Sequence, residues 1–81
     1  MKLQWTSHFA QAYSKAPKEI QAAFDKQSSL LLQNLRHPSL HAKKYDEAKG
    51  RWQARVTRDW RSYFLIQGDI YILLDIIPHP K

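Results

Sequence analysis

Cysteine is absent from the 81 residues. That excludes disulfide bonds, a thiolate nucleophile and any cysteine-ligated zinc site. No apolar run approaches the ~20 residues of a membrane-spanning helix. The longest, Ile70–Ile77, carries Asp75 in its interior. Lys2-Leu-Gln-Trp-Thr-Ser is too polar for a secretory signal core, so a cytoplasmic location is expected. Low-complexity segments, linkers and internal repeats are also missing, and a single domain spanning residues 1–81 is expected. Acidic residues are scarce: seven Asp and Glu face thirteen Lys and Arg, for a net charge of +6.

The basic residues are not spread evenly. Arg36, Lys43, Lys44, Lys49, Arg51, Arg55, Arg58 and Arg61 fall in one stretch whose acids are Asp46, Glu47 and Asp59. Local concentration turns net charge into a binding surface, and nucleic acid is the first partner it fits, an acidic protein the second. Arginine is costly to bury and offers a planar fork of donors suited to phosphate. A hydrophobic content of 43% is that of a folded chain.

The periodicities alternate in kind. Leu3 and Trp5 against Lys2 and Gln4 read as a short strand, and Thr6 or Ser7 can cap the helix that follows. Phe9, Ala12, Tyr13 and Ala16 keep helical spacing. Pro17 opens a second helix with a stripe through Ile20, Ala23, Phe24, Gln27, Leu30, Leu31 and Leu35, which His37-Pro38 ends. Residues 39–50 read as a basic loop, with a short strand at Ala42–Tyr45 as the alternative. Trp52, Ala54 and Val56 alternate with polar residues, Arg58-Asp59 makes a turn into Trp60–Ile66, and Gly68-Asp69 has hairpin-turn chemistry before Ile70–Ile77. Pro78 and Pro80 end the last strand. The expected fold is α+β: two antiparallel helices on a four-stranded, mainly antiparallel sheet in the order β-α-α-β-β-β.

Pro38-Ser-Leu-His-Ala-Lys-Lys-Tyr45, Trp52-Gln-Ala-Arg-Val-Thr-Arg-Asp-Trp-Arg61, the Gly68-Asp69 hairpin and the strand-ending His79 together resemble the RelE/ParE superfamily of bacterial toxins, and within it the YafQ-like messenger-RNA-cleaving branch. The resemblance spans essentially the whole chain. It implies the toxin of a type II toxin–antitoxin pair, held in check by a cognate acidic antitoxin. It also implies a metal-independent endoribonuclease that acts on messenger RNA in the ribosome, with the 2′-hydroxyl as nucleophile and no cofactor. Two alternatives stand beside it: a non-enzymatic ParE-like gyrase inhibitor, and a catalytically inactive relative that only binds an antitoxin.

Site residues follow from the resemblance and from their chemistry. His79 is the candidate proton-transfer group. On strict alternation it shares a face with Asp75 and Tyr71, opposite Ile72, Leu74 and Ile76; its alternative is a solvated terminal histidine. Arg61 stands where the family keeps an arginine facing the RNA, and would stabilise charge on the scissile phosphate. Arg55 occupies a place where the YafQ-like branch carries a functional polar residue, often histidine. Asp59 matches the aspartate of that branch's Asp-Trp pair and would act as a base or orient Arg61. Lys43, Lys44, Lys49, Arg51 and Arg58, with Arg36, form an apron for flanking phosphates, Lys43 and Lys44 together gripping the strand. Trp60 is the one tryptophan offered as a base-stacking ring. His37 and His41 share a spacing of four, but Pro38 between them argues against a metal site with His79. Replacing Arg61 or His79 by alanine is expected to leave the melting temperature unchanged or raised.

Overall fold

In the computed structural model, residues 1–79 are described. The element order is β1 (Lys2–Trp5), α1 (Ser7–Lys15), α2 (Lys18–Gln33), a 3₁₀ turn (Pro38–Leu40), β2 (Lys43–Asp46), β3 (Arg51–Thr57), β4 (Trp60–Gln67) and β5 (Ile70–Pro78). The class is α+β, two helices packed on a sheet. The sheet has five strands rather than four, in the order β1-β5-β4-β3-β2. The added member is β2, at the position of the alternative short strand. Its Lys43-Lys44-Tyr45 is exposed and shows no alternation of polarity, so its strand character comes from pairing with β3 (Lys43 with Gln53, Lys44 with Trp52), which local pattern does not carry. β1 lies parallel to β5, and the other pairs are antiparallel.

Local chemistry sets the boundaries. Thr6 caps α1: its Oγ1 accepts from the Phe9 amide at 3.1 Å while its hydroxyl donates to the Leu73 carbonyl of β5 at 2.8 Å. Pro17 stands directly before α2, and Gln21 Nε2 donates to the Tyr13 and Ala16 carbonyls, closing the end of α1. α2 stops at Gln33, before the His37-Pro38 breaker. Asn34 leaves the helical region (φ −163°, ψ 107°), and its side-chain oxygen accepts from the Arg36 amide at 3.0 Å, a local turn that competes with helix continuation. Both strand turns fall where the sequence puts them: Thr57 pairs with Trp60 across Arg58-Asp59, and Gln67 with Ile70 across Gly68-Asp69, where Gly68 supplies φ +58°.

The core lies between the helices and one face of the sheet. Phe9 and Phe24 from the helices meet Ala54, Val56, Phe64, Leu73 and Ile76 from the strands. Trp5 packs against Phe9, Tyr13 and Phe24 with ring centroids 4.8–6.3 Å apart. Trp60, the base-stacking candidate, is half-buried and packs against the core.

Strict alternation fails along β5. Phe64 pairs with Leu73 and Tyr63 with Asp75, so Leu74 is the extra residue of a bulge. Tyr71 and Leu73 lie on the core side before it and Ile76 after it. His79 therefore lies on the side opposite Tyr71 and shares the open face with Leu74, Asp75 and Ile77.

Candidate functional site

The open face of the sheet carries two neighbouring clefts. In the first, of about 380 Å³, Arg55 of β3, Arg61 of β4 and His79 after β5 come together, with Lys43, His41 and Gln53 completing the wall. Strands β3, β4 and β5 are adjacent in the sheet, and Arg55 and Arg61 are direct cross-strand partners. Like charges placed opposite one another destabilise a sheet. Among the described residues neither arginine makes an ion pair; the pairs found are His8–Asp75 and Lys44–Glu47. Arg55 Nε is buried with no hydrogen-bond partner, the one such side-chain atom among the described residues. Two guanidinium groups without a carboxylate partner among the described residues, set in one hollow, can receive an anion.

Each of these residues is anchored, Arg61 through its side chain and the other two through their backbone. Arg61 Nη1 donates to the Thr57, Arg58 and Trp60 carbonyls at 2.7, 3.1 and 2.9 Å, clamping the β3–β4 turn. The His79 amide donates to the Asp59 carbonyl at 2.6 Å, so the same turn anchors the residue that follows β5. Arg55 is fixed through its backbone: Gln27 Nε2 of α2 donates to the Arg55 carbonyl at 3.0 Å and to the Ser39 carbonyl at 3.1 Å. Gln27, which the sequence places within the apolar stripe, is thus the polar tie between helix and site.

Asp59 contributes its backbone, and its exposed carboxylate does not line the cleft. Carbonyls of the turn, not that carboxylate, orient Arg61. Lys43 and Lys44 part company. Lys43 faces the cleft, while Lys44 lies 5.7 Å from the Trp52 ring and 3.9 Å from Glu47, so the two do not grip one strand together. Arg58 and Lys49 sit exposed in the β3–β4 and β2–β3 turns, and Arg51 lines the second cleft.

His41 is the residue that sequence reasoning undervalued. Its spacing from His37 raises only a metal site, yet the residue lines the first cleft with His79. Its backbone is left-handed (φ 46°, ψ 41°), a conformation uncommon outside glycine and enriched at functional sites. No group of three or more His, Cys, Asp or Glu suited to a metal ion occurs among the described residues.

The second cleft, about 350 Å³, has Tyr45 and Tyr63 as its aromatic wall, their ring centroids 5.1 Å apart in a T-shaped arrangement. Leu74 and Ile77 also line it; Arg51, Asp75 and His8 bring polar groups to it. Burial raises the Tyr63 phenol above its ordinary value; Tyr45 and Asp75 add to this, and Arg61 opposes it. Tyr63 therefore feels charges from both clefts.

No family model matches this chain, and no curated protein sequence does so either. Solved structures do. The YoeB/ParE toxin from Agrobacterium tumefaciens aligns over 99% of this chain and 100% of its own at 15% identity, with a TM-score of 0.81. YafQ from E. coli strain BL21(DE3) aligns over 94% and 90% at 17% identity, with a TM-score of 0.78. A chain of the toxin–antitoxin complex RelBE2 from Mycobacterium tuberculosis aligns over 98% and 96% at 19% identity, with a TM-score of 0.77. The fold of this chain is that of the RelE/ParE toxins, YafQ among them.

Proposed function

We propose that this protein is the toxin of a type II toxin–antitoxin system and that its first cleft cleaves messenger RNA in the ribosome. The observation that carries the reading is the convergence of Arg55, Arg61, His41 and His79 on one hollow, with no Asp or Glu in its lining among the described residues. Phosphoryl transfer depends on positioning and on charge stabilisation. The two arginines receive the phosphate that follows the attacking sugar. A neutral imidazole takes the 2′-hydroxyl proton, the 2′-oxygen bonds to phosphorus, and the bond from phosphorus to the 5′-oxygen breaks. A protonated imidazole gives the departing 5′-oxygen its proton. The products are a 2′,3′-cyclic phosphate and a 5′-hydroxyl. Guanidinium groups meet the growing charge on the phosphate oxygens, and no step calls for a metal or an organic cofactor.

The similar structures include toxins in complex with antitoxins, among them RelB–RelE from Methanococcus jannaschii and E. coli DinJ–YafQ. We extend that partnership to this chain: with a net charge of +6, it calls for an acidic antitoxin. No helix among the described residues is long and apolar enough to cross a membrane, and we place the action in the cytoplasm, where messenger is translated.

The test is induction in growing bacteria with mapping of messenger 5′ ends. New ends within minutes, lost in His79→Ala and Arg55→Met, are the expected result. Growth arrest with intact messengers and broken DNA would assign the protein to gyrase inhibition instead. Normal growth on induction would leave an inactive relative that binds an antitoxin.

A further inference from the structure

The second cleft lies one nucleotide's reach from the first. On β4, Tyr63 stands two residues beyond Arg61 on the same face, about 6.6 Å along the strand. Tyr63 pairs across the sheet with Gln53, which lines the first cleft, and with Asp75, which lines the second. The arginine hollow therefore leads to an aromatic wall without crossing an edge of the sheet.

Three features of that neighbour go beyond ordinary packing. Tyr45 is 46% exposed, yet its ring is braced 5.1 Å from that of Tyr63, so a flat apolar surface stays open to solvent. Asp75 is positioned by two contacts, Oδ1 accepting from the Ile76 amide at 2.9 Å and Oδ2 meeting His8 Nε2 at 3.2 Å. Each carboxylate oxygen retains acceptor capacity. Arg51 brings donors to the same cleft and makes no ion pair among the described residues.

We infer that the second cleft is a nucleobase site, with Tyr45 and Tyr63 as its stacking wall and with Asp75 and Arg51 reading the base edge, and that guanine fits it best. Stacking on an aromatic ring accepts any base. A carboxylate requires base N–H donors, which guanine supplies at N1 and N2 and uracil only at N3. A guanidinium requires acceptors, and O6 and N7 of guanine form the commonest specific pairing with arginine. Guanine is the base that offers both sets together. This inference rests on the first cleft holding RNA phosphate, as proposed above.

The test is fluorescence anisotropy with 2′-O-methyl hexanucleotides, which cannot be cut: oligouridine, and oligouridine carrying one guanosine or one adenosine. The guanosine oligomer is expected to bind most tightly. Tyr45→Ala, at an exposed site that threatens no core contact, should weaken it roughly 5- to 150-fold, and Tyr45→Phe should restore it. Asp75→Asn should erase the guanine advantage with little effect on oligouridine, while the unchanged melting temperature of Tyr45→Ala guards against a folding artefact. Equal affinity for all three oligomers, or indifference to both Tyr45→Ala and Asp75→Asn, would overturn the base site. If Arg55→Met still abolishes binding in that case, the phosphate reading stands alone. Failure of every oligomer to bind the wild-type protein would bring down both.

Discussion

Replacing Arg55 by methionine should make the protein more stable while removing its affinity for anions. Arg55 Nε is buried without a partner, and Arg61 stands directly across the strand pair. An orphaned buried donor costs about 1–3 kcal/mol, and a like-charge cross-strand pair roughly 0.2–1 kcal/mol. The side chain as a whole is half-buried, so solvent screens part of both. Methionine keeps much of the apolar stem. A net gain of about 1 kcal/mol remains, which in a domain of this size corresponds to a rise in melting temperature of roughly 4–8 °C. The assay is thermal denaturation of both proteins with and without inorganic phosphate. Wild type should gain stability as phosphate is added, by about 1.4 kcal/mol at ten times its dissociation constant, and Arg55→Met should gain much less. A variant that melts below wild type, or that responds equally to phosphate, would refute the claim that this guanidinium is kept for a ligand.

Arg61 should behave in the opposite way. Its three carbonyl contacts make it the clamp of the β3–β4 turn, so Arg61→Ala is expected to lower stability by roughly 1.5–3 kcal/mol in urea titrations, against the neutrality anticipated from its role alone. Gln27→Ala strips the Ser39 and Arg55 carbonyls of their helix donor and should cost about 1–3 kcal/mol, with a parallel loss of phosphate affinity detectable by calorimetry. Burial raises the phenols of Tyr63 and Tyr71 in the folded state. The stability they contribute is complete below the ordinary tyrosine range near ~10 and is lost as pH rises through the raised folded values, so alkaline melting should coincide with tyrosinate absorbance; a phenol that ionises at its ordinary value in the folded protein would contradict this.

The fold was largely legible because its signals are local. Thr6, Pro17, Arg58-Asp59 and Gly68-Asp69 each act within a few residues, and each operates where the pattern puts it. What the pattern does not carry is pairing between distant segments. β2 is a strand because β3 runs beside it, and the β5 bulge at Leu74 exists only relative to β4, so parity counted from Ile70 assigns Tyr71 to the wrong face. The site divides the same way. Arg55, Arg61, His79 and Lys43 are found by residue type and by resemblance, and the structure brings them together. Asp59 and Lys44 have the right chemistry but do not line the cleft, Asp59 being exposed in its turn and Lys44 set over the Trp52 ring. His41 as a cleft residue and the Tyr45–Tyr63 pair are not legible in the sequence, since a left-handed backbone and a cross-strand contact leave no local periodic trace.

The central claim is that Arg55, Arg61 and His79 hold one sugar–phosphate link between them. Its most direct test is a side-chain nuclear magnetic resonance titration with a 2′-O-methyl oligonucleotide, following the arginine Nε–H and imidazole signals. The account predicts that all three residues shift together with a single dissociation constant that rises with salt. Shifts confined to the exposed lysines and Arg58, with Arg55 and His79 unmoved, would contradict it.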